Sequence, residues 1–332
     1  MDTFFLTLKT VALLIFYISL GFFAGKKKIV GENAGKTLAA LLTFVIMPIY
    51  CFSNLSKSVT VEKISLYLEI FAAGAVVAAI CVALCIPLSK LFAKNGYSRN
   101  IYKYLIFTPN LGYFGYPLVQ AVFGEVYLAM YMVFTLPLQL TINTYGYMIL
   151  TDKNAALIAA TKSAEEIGEK KKARVKATLK RLLSAPLIGT FVGITVGLLP
   201  IELPNEVYEF TAPASECLRA IAMLLTGIVL SEMPFKTLFL SKKAYLIGLL
   251  RLIIYPIIFG GAAYLLYRLG LSAEILIFTV CLTALPAGMN VVVFPEAIGL
   301  SGKEGAQACF ISYLMVIITL PLILLALTAI VA

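Results

Sequence analysis

Two short segments combine residues that break helices with side chains that can bind a polar ligand. The first reads TPNLGYFGYPLVQAVFG from Thr108 to Gly124, and the second reads ALPAGMNVVVFPEAIG from Ala284 to Gly299. Proline lacks an N–H donor, and glycine destabilises a helix by about 1 kcal/mol relative to alanine, so both segments should interrupt an α-helix. The predicted break points are Pro109, Gly115, Pro117, Pro286 and Pro295.

An interrupted helix exposes backbone N–H groups, and its new amino terminus carries roughly half a positive charge. Two such termini facing one cavity would favour an anion, particularly a carboxylate, and asparagine would add neutral donors and acceptors there. The candidate substrate-binding residues lie in the two segments and on the helix after the first one. They are Asn110, Gly112, Tyr113, Gly288, Asn290, Gln139 and Asn143.

Two polar features outside the interrupted segments leave alternatives open. Gln139 and Asn143 lie one helical turn apart, and they either line a substrate path or form hydrogen bonds between helices, worth under about 2 kcal/mol. Arg251 lies about two turns beyond Lys243 in an apolar stretch. We expect its side chain to reach the cytoplasmic interface, and the alternative is that it holds an anion or pairs with Glu232.

The elements that must position these residues are membrane helices. Hydrophobic residues make up 61% of the 332-residue chain and charged residues 13%, whereas soluble domains contain about 25% charged residues. Apolar stretches of about 20 residues, each long enough to cross a bilayer, recur along the chain. Ten spans are predicted, at 4–24, 37–53, 65–88, 102–123, 126–150, 182–199, 212–231, 245–269, 275–298 and 306–331.

The composition also argues against catalysis. The chain has no histidine, and its two aspartates, Asp2 and Asp152, lie outside the apolar stretches. This excludes imidazole-based triads and zinc sites as well as an intramembrane aspartyl dyad. We therefore expect neither an enzyme nor a resident metal or cofactor.

The net charge of +10 is distributed as a topology signal. If the amino terminus is outside, the cytoplasmic connections carry 21 lysines and arginines and the opposite side carries five. By the positive-inside rule, this places both termini outside a plasma or inner cell membrane and makes the charged linker 151–181 cytoplasmic. Nucleic acid is not an expected partner.

The linker divides the chain into five spans at 1–150 and five at 182–332. TLPL occurs at Thr135 and again at Thr319, and the glycine pair Gly21 and Gly25 recurs at Gly193 and Gly197. Because each unit has an odd number of spans, the second must enter the membrane from the opposite side. We therefore predict an all-α fold of two inverted five-helix repeats, with interrupted crossover helices at the fourth and ninth spans.

Three motifs resemble the auxin efflux carrier family, which includes PIN-like and bacterial malate-permease-like transporters. They are NLGYFGYPL at 110–118, ALPAGMN at 284–290 and the terminal TLPLILLAL. The resemblance covers essentially the whole chain. It implies an elevator-like carrier whose first, second, sixth and seventh spans form a scaffold while the other six move the substrate.

The sequence thus favours a secondary transporter for a small organic anion, such as a malate- or auxin-like carboxylate. The alternative is a sodium-coupled symporter resembling the bile-acid family, which shares the crossover plan. The expected partners are the anion and the lipid bilayer, and a homodimer is left open.

Overall fold

The computed structural model describes residues 2–94, 96–151, 184–199, 203–232, 239–296, 300 and 303–331, which are predominantly helical. An isolated antiparallel bridge between Pro109 and Ala287 is the only β-type pairing in this part of the chain. In the described part of the chain, six helices are long and apolar enough to cross a membrane, in agreement with the predicted all-helical polytopic membrane protein. Apart from Thr151, the predicted linker 151–181 lies outside the described residues.

Within the described residues we number twelve helices in chain order. They are α1 Asp2–Lys26, α2 Ala34–Ser58, α3 Ile64–Phe92, α4 Tyr97–Phe107, α5 Tyr116–Phe123, α6 Glu125–Leu150, α7 Ala185–Leu198, α8 Asn205–Ser231, α9 Lys242–Arg268, α10 Ala273–Thr283, α11 Asn290–Glu296 and α12 Lys303–Val331. The predicted fourth span is divided between α4 and α5, and the predicted ninth between α10 and α11, with α4 beginning five residues and α10 two residues before the predicted spans.

Four π-helical turns lie in or next to these helices within the described residues. They are Leu42–Ile46 in α2, Leu111–Gly115 before α5, Ile142–Gly146 in α6 and Leu250–Ile254 in α9. The first, second and fourth are followed by a proline in the first turn of the next α-helical segment, at Pro48, Pro117 and Pro256. A proline ring clashes with the carbonyl four residues before it, and the extra residue of a π-turn relieves that clash.

Glycines bring α1 against α8 and α7 against α2. A Cβ atom on Gly21 would collide with the backbone carbonyl of Leu224, and one on Gly193 would collide with the backbone of Phe52. Helices in lipid associate through van der Waals packing, which is strongest where small residues let backbones approach. These contacts make α1–α8 and α2–α7 two close pairs, and α8 also packs against α2, so the four helices form one group.

Candidate functional site

The two interrupted spans meet and pair through their backbones. After α4 ends at Phe107 and α10 ends at Thr283, the chain is extended at Pro109 and Ala287 and forms the antiparallel bridge there. The backbone N–H of Asn110 donates to the Pro286 carbonyl at 2.9 Å. These contacts satisfy backbone groups that would otherwise be unpaired at bilayer depth.

The crossover is completed by a second hydrogen bond and a close approach. The N–H of Gly288 donates to the Thr108 carbonyl at 3.2 Å. A Cβ atom on Gly288 would lie only 3.1 Å from the Pro109 carbonyl oxygen, so a larger residue would push the two segments apart. The interruption thus forms a compact backbone junction between the two halves of the chain.

The interruptions are shorter than the sequence predicts. Gly115 lies in the π-helical turn before α5, and Pro117 follows that turn, whose extra residue relieves the clash between the proline ring and the preceding carbonyl. Pro295 lies inside α11, one residue before this helix ends. These three residues therefore do not break the spans, whereas Pro109 and Pro286 lie in the extended segments.

A cavity of about 380 Å³ borders the crossover. Its walls come from the crossover itself, from α6, from the π-helical turn of α2 and from the start of α7. The structure brings together around it all seven candidate substrate-binding residues, namely Asn110, Gly112, Tyr113, Gly288, Asn290, Gln139 and Asn143. The volume suits a small organic molecule.

Among the described residues that line it, the cavity wall is mostly apolar, with hydroxyl and amide groups interspersed and no charged side chain. The hydroxyls of Tyr104 and Thr108 are buried without a hydrogen-bond partner in the described part of the chain. On the opposite wall, the Tyr113 hydroxyl lies 3.4 Å from the Thr43 hydroxyl. The wall therefore offers hydroxyl and amide groups to a ligand without a fixed charge of either sign.

Two helix amino termini point towards this cavity. The π-helical turn that leads into α5 begins at Leu111, and α11 begins at Asn290. The first-turn N–H groups of a helix lack intrahelical partners and concentrate the positive end of its dipole. Although the N–H groups of Tyr113, Val291 and Val292 already have partners, the two termini place the positive ends of their dipoles beside the cavity.

The two asparagines differ in what holds them. Asn110 is 4% exposed, its Oδ1 accepts the Tyr113 N–H at 3.3 Å, and its Nδ2 donates to the Tyr313 hydroxyl of α12. Asn290 is the first residue of α11 and lies beside the Tyr104 hydroxyl. Asn110 therefore stabilises the junction as well as lining the cavity.

A family described as membrane transport protein, which includes the auxin efflux carriers, matches residues 6–324. The chain belongs to this family. Its members are transporters and not enzymes, and the resemblance carried by the three sequence motifs is confirmed. No curated protein matches the chain.

In this membrane transport protein, Arg251 does not extend to the cytoplasmic interface as the sequence predicts. Its side chain is only 2% exposed, and its Nη1 donates to the carbonyls of Leu105 at 2.9 Å and Ile106 at 3.1 Å, rather than pairing with Glu232. These carbonyls belong to the last turn of α4, where carbonyl groups have no N–H donor within the helix. The π-helical turn Leu250–Ile254 contains the arginine and the apolar residues around it.

Sequence reasoning missed four polar residues that line the transporter cavity beside the predicted ones. Thr43, Tyr104, Ser184 and Thr190 also line it. Thr43 ends the sequence LLT at 41–43, which recurs at 224–226 in the second half of the chain, and this recurrence is the one sequence signal for it. The other three residues lie in ordinary apolar contexts, and only packing brings them to the site.

Proposed function

We propose that this protein is a secondary transporter that carries a small organic anion, a malate- or auxin-like carboxylate, by elevator-type alternating access. The observation that carries the proposal is a cavity without charged side chains, in which hydroxyl and amide groups lie at the amino termini of two half-helices. A carboxylate accepts hydrogen bonds from backbone N–H groups and gains from the positive dipole ends. A cation would be repelled by the same groups.

An anion bound in an uncharged wall carries its own charge across the membrane. The membrane potential, negative inside, contributes about 2.3 kcal/mol per charge per 100 mV towards the export of an anion. The membrane potential alone can therefore drive export of the anion, without a coupling ion. No carboxylate proton relay is required in this scheme.

The backbone junction supports ten spans arranged as two inverted repeats. Pro109 and Ala287 are 178 residues apart, the same separation as Pro117 and Pro295. The donor and acceptor of the first hydrogen bond are Asn110 and Pro286. The residues that occupy the equivalent positions in the other repeat, 178 residues away, are Gly288 and Thr108, which form the second hydrogen bond. The bridge then lies where a two-fold axis between the repeats 1–150 and 182–332 would pass.

The glycine contacts support a separate scaffold of spans one, two, six and seven. Gly21 contacts Leu224, and Gly193 contacts Phe52. The two glycines are 172 residues apart, and so are their two partners, Phe52 and Leu224. Each repeat thus contributes one helix to each close pair. A rigid group built in this way would remain in place while the helices that hold the crossover move.

The proposed orientation has both termini outside and the linker 151–181 in the cytoplasm, from the 21 to five asymmetry of basic residues. The cavity is lined by Ser184, the first described residue after the linker, so its mouth would face the cytoplasm. On the other side, the Tyr50 hydroxyl donates to the Gln120 side chain at 3.2 Å, joining α2 to α5. These contacts correspond to an inward-facing state.

Flux in liposomes tests the function directly. Purified protein would be reconstituted and challenged with mono- and dicarboxylates, with and without Na⁺, a pH gradient and an imposed potential. We expect flux of at least one carboxylate without Na⁺, faster when the potential drives the anion. Flux that requires Na⁺ would establish the sodium-coupled alternative, and preferred transport of a cation or an uncharged solute would overturn the proposal.

Cysteine labelling tests the orientation. A single reactive cysteine within 151–181 should be modified only by a reagent that enters the cell. Labelling from outside would reverse the topology and the direction assigned to the open cavity.

A further inference from the structure

Arg251 places a buried positive charge on the last turn of a half-helix. Its Nη1 binds the carbonyls of Leu105 and Ile106 in α4, and its Nε has no hydrogen-bond partner among the described residues. With 2% exposure, the guanidinium is removed from both lipid and solvent. Such a charge is costly to bury, so the groups around it must compensate for it.

Among the described residues, no carboxylate acts on the arginine, and the compensation comes from a helix dipole. The ionisable neighbours that act on the arginine are the phenols of Tyr104 and Tyr255 and the thiols of Cys81 and Cys309. These side chains come from α3, α4, α9 and α12, so the surroundings of Arg251 are defined on several sides. The carbonyl end of α4 carries roughly half a negative charge and is the principal group that can balance the arginine.

The position of this charge matters because α4 ends at the crossover. Leu105 and Ile106 precede Thr108, whose carbonyl takes part in the backbone junction. The carbonyl end of α4 would by itself place negative potential beside the cavity and oppose a bound anion. The arginine neutralises that end, while the positive amino termini at Leu111 and Asn290 remain.

Interrupted transport helices present such carbonyl ends to dissolved cations, and Na⁺ is coordinated there in cation-coupled carriers. Here a guanidinium already occupies the carbonyls. We propose that Arg251 is a tethered cation that takes the place of a soluble coupling cation and thereby lets the crossover bind an anion without Na⁺. The anion part of this inference rests on the proposed function, whereas the cation site does not.

The decisive variant is Arg251→Met, which removes the charge and keeps an apolar side chain of similar length. Arg251→Lys keeps a charge that can reach the same carbonyls. Arg268→Met is the matched control, since Arg268 lies on the same helix but is exposed and donates to Tyr264. Each protein would be purified and its melting temperature measured in NaCl and in choline chloride at equal ionic strength.

We expect the wild type, Arg251→Lys and Arg268→Met to melt at the same temperature in both salts. Arg251→Met should melt lower in choline and recover by about 5 °C, saturably, as Na⁺ rises far above its dissociation constant. In liposomes, carboxylate flux through Arg251→Met should become dependent on Na⁺. A general loss of packing would not produce a saturable response to Na⁺ or rescue by lysine.

The opposite results would overturn the inference. Folded Arg251→Met that melts identically in the two salts and retains flux without Na⁺ would show that the carbonyl end needs no cation. If Arg251→Met yields no folded protein, Arg251→Lys decides: a Na⁺-dependent melting temperature in this variant would refute a tethered charge. Failure of the proposed function is distinguishable, because wild-type liposomes would then carry no carboxylate while the melting responses to Na⁺ would still be obtained.

Discussion

Replacing Asn110 with alanine should destabilise the protein through two lost hydrogen bonds. The Asn110 side chain is almost fully buried, accepts the Tyr113 N–H at 3.3 Å and donates to the Tyr313 hydroxyl. The first bond caps the helical segment that leads into α5. The second ties the crossover to α12, so the substitution loosens the junction in two directions.

The magnitude follows from these contacts. Loss of an N-cap costs about 1 kcal/mol, and leaving a buried hydroxyl without its partner costs about 1–3 kcal/mol. The second figure belongs at its lower end, because the Thr226 hydroxyl also interacts with Tyr313. We therefore expect Asn110→Ala to lose about 2–3 kcal/mol, which in a chain of 332 residues lowers the melting temperature by roughly 3–5 °C.

A double-mutant cycle checks the assignment. Tyr313→Phe removes the hydroxyl and keeps the ring against Phe114, with ring centroids 5.8 Å apart. Because both single variants lose the same bond, the double variant should lose about 1 kcal/mol less than their sum. Additive losses, or an unchanged melting temperature in Asn110→Ala, would refute the reasoning.

Three further substitutions have expected outcomes. Asn290→Asp should weaken carboxylate binding more than about 10-fold, measured by the thermal shift that the substrate induces, because it places like charges together. Gly227→Leu should abolish folded protein on size-exclusion chromatography, because any Cβ there collides with the carbonyl of Ile18 in α1. Lys57→Met should change stability by under about 1 kcal/mol in thermal melts, since the lysine and its partner Glu125 are 60% and 56% exposed.

Controls define what would contradict these outcomes. Well-folded Asn290→Asp with unchanged affinity would remove Asn290 from the site. Gly261 has open space around its Cβ position, so Gly261→Leu should fold, and equal behaviour of the two glycine variants would contradict the packing argument. A loss of several kcal/mol in Lys57→Met, but not in the exposed Lys63→Met, would show that the ion pair is worth more than its exposure implies.

The sequence predicts the helices and the two interruptions because both depend on local composition. Apolar length indicates a span, and proline and glycine act on the backbone near their own position. Pro117 shows the limit of this reasoning: its effect depends on the preceding π-helical turn, which places it where a helix tolerates proline.

The contents of the site depend on contacts between distant residues and were less predictable. Thr43 and Ser184 reach the cavity because α2 and α7 pack beside the crossover. The sequence predicts that the Arg251 side chain reaches the cytoplasmic interface, because its own helix offers the charge no partner. The carbonyl groups that accept its hydrogen bonds belong to a different helix, α4. Such partners become visible only when separate helices are brought together.

The pairing of distant helices has a consequence for how the chain is made. When α1 and α4 emerge from the ribosome, the groove for Gly21 and the backbone partner of Asn110 have not been synthesised, since they lie in α8 and at Pro286. An unpaired backbone group in lipid costs several kcal/mol. The amino-terminal half therefore remains in the bilayer without these contacts during synthesis. The chain can reach its native state only after its carboxy-terminal half has been inserted.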